Sequence, residues 1–218
     1  MANYKDIFEE AVETARSIND DELFARTMAL GGIASDLAKA GEPYEHVIRE
    51  ALENTKNISD VDDRAAALGY MASDLAKAGE FEKALEIARS IRDECDSELA
   101  LRKIASELAK AREFERALGI TGGIRDECHR EVALRKIASE LAKAGELERA
   151  LEIARSIPDD ENGYVSALPE VVLELAKAGK VEKALEITRS MSNKKRRTWT
   201  LSEIASELAK ADKPMEQV

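Results

Sequence analysis

The sequence is poor in aromatic side chains, which make up 4% of its 218 residues, and Trp199 is its single tryptophan. A core must therefore be assembled from Leu, Ile, Val and Ala, a palette that suits packed helices better than sheets. Long apolar runs are missing too: no stretch approaches the roughly 18 consecutive apolar residues that a membrane-spanning helix needs. The first ten residues carry acids and lack the apolar core of a secretion signal. Neither export nor membrane insertion is indicated, and the expected location is the cytoplasm. Cysteine is limited to Cys95 and Cys128, as suits a reduced compartment. Glutamine occurs once, at Gln217, against many Glu, Lys and Arg, a balance associated with proteins from hot environments. The two histidines are His46 and His129. No Ser/His/Asp, Cys/His or paired-carboxylate arrangement stands out from the acidic background. Neither catalysis nor a metal or cofactor is therefore expected.

Charge and apolar material are abundant. Hydrophobic residues make up 44% of the chain and charged residues 35%, and 44 acids against 33 bases leave a net charge of −11. Such a molecule as a whole repels nucleic acid and anionic membrane, which disfavours both as partners.

The strongest signal is an internal repeat. Leu-Ala-Lys-Ala-Gly, or a close variant, begins at Leu37, Leu75, Leu108, Leu141, Leu175 and Leu208, at spacings of 38, 33, 33, 34 and 33. The stretch Ala100 to Ala111 returns almost word for word at Ala133 to Ala144, which reads as tandem duplication followed by divergence. Each unit carries two helical patterns. In the first, helix A, Leu101, Ile104, Ala105 and Leu108 fall on one face, as do Leu134, Ile137, Ala138 and Leu141. Gly41, Gly79, Gly145 and Gly179 follow and supply a left-handed C-terminal cap. Helix B comes next, as in Phe81 to Ile91. Asp93, Asp126 and Asp159 then stand where the following helix A must start and can accept its orphan amides.

The frame Leu101-x2-Ile104-Ala105-x2-Leu108 followed by Ala117-x3-Thr121, and its mate from Leu134 to Ala154, resembles the tetratricopeptide repeat. Ala51-x3-Thr55, Ala84-x3-Ala88 and Ala184-x3-Thr188 carry the resemblance along the whole chain. The family's tryptophan and tyrosine positions are Leu here, its aromatic after A-x3 is Ala or Thr, and its closing proline is missing. The resemblance implies one all-α domain over residues 1–218, an α-solenoid of about six helix–turn–helix repeats in a right-handed superhelix. Its A helices are expected near 22–40, 61–78, 94–111, 127–144, 161–178 and 197–211. It further implies a non-enzymatic scaffold that binds a protein or peptide on its concave, A-helix surface.

Within that frame several positions invite a functional reading. Lys39, Lys77, Lys110, Lys143, Lys177 and Lys210 recur at one A-helix position that faces the groove in the family. An acid three residues earlier stands within reach of each, so the ladder reads more simply as locally neutralised. The asparagines of the family's carboxylate clamp are missing: the matching positions hold Gly31, Gly69, Arg102, Arg135 and Ser35, Ser73, Ser106, Ser139. Arg102 and Arg135, beside Lys103 and Lys136, still make the middle repeats the most basic part of the groove. With Lys110, Lys143 and Trp199 they are the candidate contacts to an acidic partner. The run Lys194 to Arg197 ahead of Trp199 could grip phosphate or an acidic partner; read more plainly, it is an inter-repeat loop with Trp199 packed over the array's end. Cys95 and Cys128 fall at equivalent sites of neighbouring repeats. Stacked helices lie roughly 8 to 10 Å apart, beyond the reach of a disulfide.

Four irregularities carry expectations of their own. The helix B that carries Ala51 gains about five residues near Pro43 and should start one turn early. Gly119, Gly122 and Gly123 should make their helix B the softest, either as a hinge or as tolerated drift. Pro169 should open a restarted fifth helix A. Asp212 to Val218 echo Gly41 to Val47, so the last helix A is expected to lack a full partner, and homo-oligomerisation through that C-terminal end is the alternative use of the array.

Overall fold

Short apolar stripes closed by regularly spaced caps produce twelve α-helices in a computed structural model that describes residues 3–157 and 167–211. They are α1 (Tyr4–Arg16), α2 (Leu23–Lys39), α3 (Glu45–Thr55), α4 (Val61–Lys77), α5 (Phe81–Ser90) and α6 (Glu94–Lys110). Then follow α7 (Phe114–Thr121), α8 (Glu127–Lys143), α9 (Leu147–Ser156), α10 (Leu168–Lys177), α11 (Val181–Ser190) and α12 (Lys194–Ala211). No strand occurs among the described residues. The protein is all-α.

Helices α2, α4, α6, α8, α10 and α12 are the expected A helices. The final lysine of the repeated motif is the last helical residue of each of the first five. Their ends are built alike. In α4, the Glu80 amide donates to the Leu75 carbonyl at 2.9 Å and the Gly79 amide to Ala76 at 3.1 Å, with Gly79 at φ +88°. This is the Schellman cap, which needs a left-handed residue after the helix. The same pair of bonds closes α2, α6, α8 and α10. After α6 the left-handed position falls to Arg112, at φ 64°, the one non-glycine with positive φ among the described residues. The starts are capped as the aspartates suggested: the Asp93 carboxylate accepts from the Asp96 amide at 3.0 Å, and that of Asp126 from His129 at 2.8 Å. Asp60 does the same for α4, and Asp159 lies outside the described residues.

Successive A helices lie directly against one another, from α2 through α4, α6, α8 and α10 to α12, and each B helix packs on its own A helix and on the next. Successive B helices make no comparable backbone approach. The core runs along the junction. Leu30, Met71, Leu75, Ile104, Leu108, Ile137, Leu141, Leu175 and Ile204 are all fully buried there. At the α2–α4 crossing, a Cβ on Gly31 would come within 2.6 Å of Met71 Cγ, so only glycine lets the two helices approach this closely. Ala34, Ala72, Ala105 and Ala138 are completely buried at the small-residue position of the frame.

The irregularities resolve in physical terms. The five extra residues near Pro43 divide between a longer turn and an early start: measured from Ala51 and Ala84, α3 begins three residues ahead of α5. α7 spans 8 residues where α5 and α9 span 10, and Gly122 and Gly123 fall just beyond its end. Helix α10 opens at Leu168, with Pro169 second, where its missing amide costs no hydrogen bond; 161–166, the start expected for that helix, lie outside the described residues, as do 212–218. The basic run is not a loop. Lys194 to Arg197 form the first turn of α12, three residues ahead of the expected start, with the Arg196 amide donating to Asn193 Oδ1 at 3.0 Å. One helix had no forecast at all: α1, whose Phe8, Val12 and Ala15 pack inward, stands in the B position ahead of the first A helix.

Candidate binding groove

The register of the repeat places one set of A-helix positions side by side on α4, α6 and α8. Between these helices lies a groove of about 420 Å³. Its lining carries six cationic side chains, Lys77, Arg102, Lys103, Lys110, Arg135 and Lys136, against the single carboxylate of Glu107, in a chain whose net charge is −11.

Most of that charge is answered locally. Lys77 pairs with Asp74 at 2.9 Å and Lys110 with Glu107 at 2.7 Å. The other ladder lysines, Lys39, Lys143, Lys177 and Lys210, likewise each pair with the acid three residues earlier. These bonds hold the ammonium groups of Lys77 and Lys177 above the ordinary lysine pKa. Arg135 bridges to Glu170 of α10 at 2.9 Å. Glu140 serves two amines, Lys136 at 2.8 Å and Lys143 at 3.1 Å. Burial pushes its carboxyl up, but the two lysines outweigh burial and hold it below the usual glutamate range.

A cationic surplus remains. The Arg102 side chain makes no hydrogen bond or ion pair among the described residues, and its Nε is buried without a partner. Lys103 has no carboxylate partner among the described residues either; its ammonium lies 5.3 Å from the ring centroid of Tyr70. One of Lys136 and Lys143 adds a further uncompensated charge, since both share Glu140. Tyr70 is 49% exposed and forms an aromatic wall beside these cations.

Of the residues expected to contact a partner, the structure brings Arg102, Lys110 and Arg135 together in this groove. Lys143 is joined to its edge only through Glu140. Trp199, 51% exposed on α12, shares the A-helix register of Leu99 and Val132 but does not line the groove. The serines of the same frame turn structural. Ser35 donates to the Asp74 carbonyl at 2.8 Å, Ser106 to Arg102 at 2.9 Å, and Ser73 and Ser139 are buried. Cys95 and Cys128 are free and exposed.

Sequence reasoning missed Tyr70, whose register mates are Gly32, Lys103 and Lys136. It also missed Glu98, which is 5% exposed and accepts from the amides of Arg125 at 2.7 Å and Asp126 at 2.9 Å, strapping α6 to the start of α8. Nor did it anticipate the ties between successive B helices: Arg116 to Glu82, Arg149 to Glu115 and Lys183 to Glu148. The common signal was available, since each pair stands 34 or 35 residues apart, one repeat.

Comparison with known proteins adds little to this geometry. No family model matches the chain, and no curated protein does. Among solved structures, it is similar to Ton1535 from Thermococcus onnurineus NA1, at 18% identity and a TM-score of 0.40, over 94% of this chain and 85% of that one. No helix among the described residues is long and apolar enough to cross a membrane.

Proposed function

We propose that the protein is a non-enzymatic scaffold that holds an acidic segment of another protein along its A-helix face, in the groove between α4, α6 and α8. The array is read as a tetratricopeptide-like α-solenoid with the A helices on its concave side. In support, the backbones of successive A helices approach closely while those of successive B helices do not. The observation that carries the reading is the cationic surplus at Arg102 and Lys103. A carboxylate fits it because a guanidinium presents paired donors that match a carboxylate's two oxygens. Lys110, Arg135 and Lys136 flank the contact, and their own exposed pairs are weak enough to be exchanged for a ligand's.

Fluorescence anisotropy with a labelled Glu-rich peptide tests this at low and high salt. Arg102→Glu together with Lys103→Glu is expected to weaken binding by more than about tenfold, two lost attractions of roughly 1 kcal/mol each. Circular dichroism should stay unchanged. Binding no tighter than that of a neutral control peptide, or indifference to the double reversal, overturns the proposal.

A second reading, self-association through α12, draws on the exposure of Trp199 and Leu201, where the register mates Leu101 and Leu134 are half-buried. Sedimentation should then show mass rising with concentration and Leu201→Glu should abolish the rise; a monomer throughout removes this reading.

A further inference from the structure

Beside the cationic groove, between α4 and α6, lies a trough of about 230 Å³. Ala65, Ala66 and Gly69 of α4 face Leu99 and Ala100 of α6 across it, with the carboxylate of Asp96 at the α6 side. Tyr70 and Lys103 line both spaces, so the trough opens directly onto the surplus charge. Its volume compares with about 30 Å³ for a water molecule in the liquid, which leaves room for one branched aliphatic side chain.

Nothing in the packing requires so much space. Gly69 lies in the middle of α4 with ordinary helical backbone, and a Cβ added there would meet no atom within 4 Å. Glycine at a helix interior is a poor choice beside alanine, and here no close approach repays it, in contrast to Gly31 against Met71. One repeat later the same two positions are filled: Ala66 corresponds to Leu99 and Gly69 to Arg102, both 33 residues on. The filled positions on α6 set the α4–α6 pair apart from the next one, and the opening lies beside Arg102 and Lys103, whose side chains have no carboxylate among the described residues.

We infer that the trough is the specificity pocket of the groove: the acidic segment it holds carries an aliphatic side chain, seated between Ala66, Gly69 and Leu99, one or two residues from the carboxylate on Arg102 and Lys103. The inference rests on the reading of the groove as an acidic-segment site. It adds that charge alone does not select the partner. Each methylene moved out of water strengthens binding roughly fourfold, so a leucine anchor decides between segments of equal charge. The exposed face of Tyr70 stacks on the bound backbone as the trough fills.

The experiment uses two labelled peptides of equal length and charge, Glu-rich and with a central Leu in one and Ser in the other. The full chain should bind the Leu peptide about tenfold more tightly. Gly69→Leu fills the trough from within. It should remove that preference while the Ser peptide binds as before, and thermal stability should rise, since the new side chain enters open space. Ala66→Leu is a second filler, already carried by α6 as Leu99, and should act in the same way. Equal affinity of the full chain for both peptides overturns the inference and leaves the acidic-segment reading standing. So does a filled variant that weakens both peptides alike. Failure to bind either peptide overturns both.

Discussion

The A-helix and B-helix faces are both densely charged, yet they use their ion pairs in different ways. On the B helices, beside pairs that close within one turn such as Lys83 to Glu86 and Arg116 to Glu113, others run between repeats, from Arg116 to Glu82, Arg149 to Glu115 and Lys183 to Glu148. On the A helices nearly all close within one turn, as from Lys77 to Asp74 or Lys110 to Glu107. Arg135 to Glu170, and Glu94 of α6 to Arg125 ahead of α8, are the exceptions. Cross-links on the first face tie neighbouring repeats together, whereas short-range pairs on the second fix each cation without bridging the groove. The A-helix face is thus neutralised mainly along its helices and not across them.

The contrast is broken most forcefully at Glu98, a buried link between neighbouring A helices rather than an exposed one. Glu98→Ala leaves the amides of Arg125 and Asp126 without their acceptor and should cost about 2–3 kcal/mol, read as a lowered midpoint in urea unfolding. A loss no larger than that of an exposed ion pair would show the strap to be dispensable. Next in size, Arg112→Gly should stabilise the chain by about 1 kcal/mol, because it removes a Cβ from a left-handed position that glycine fills in four sister turns. Thermal unfolding measures it, and an unchanged midpoint would show that the site tolerates a side chain without strain. The smallest effect concerns acid. Glu140 titrates below the usual glutamate range in the folded chain, so its contribution is complete above the unfolded value of about 4.3. It fades as pH falls through the lower, folded value. Glu140→Gln should flatten this part of the acid limb in unfolding measured by pH, and an unaltered limb would assign the effect to other carboxylates.

Much of the fold was legible because the repeat writes its punctuation at fixed places. The Leu-Ala-Lys-Ala segments announced where α2, α4, α6, α8 and α10 stop, since the cap that follows needs a left-handed residue. Legibility failed where punctuation was weak. Helix α1 has no repeat motif ahead of it. The start of α12 was hidden because Lys194 to Arg197 put positive charge at the end of a helix that disfavours it. The site was legible only in part. Periodicity lined up Arg102, Lys110 and Arg135, but the same logic also nominated Lys143 and Trp199, which the groove does not reach. That Arg102 lacks an acid, or that Tyr70 lies beneath Lys103, depends on what two other helices present across the stack. No single helix pattern holds that information.

The long turn between α2 and α3 has a practical consequence. It absorbs two residues more than the turn between α4 and α5, and α3 a further three at its start, while α2 still packs on α4 like every other A-helix pair. Spacing along the stack is thus decoupled from the length of the hairpin bends at its rim. Those bends are the natural places to graft tags, fluorophores or foreign loops, and inserts placed there should leave the stacked register of the inner helices undisturbed.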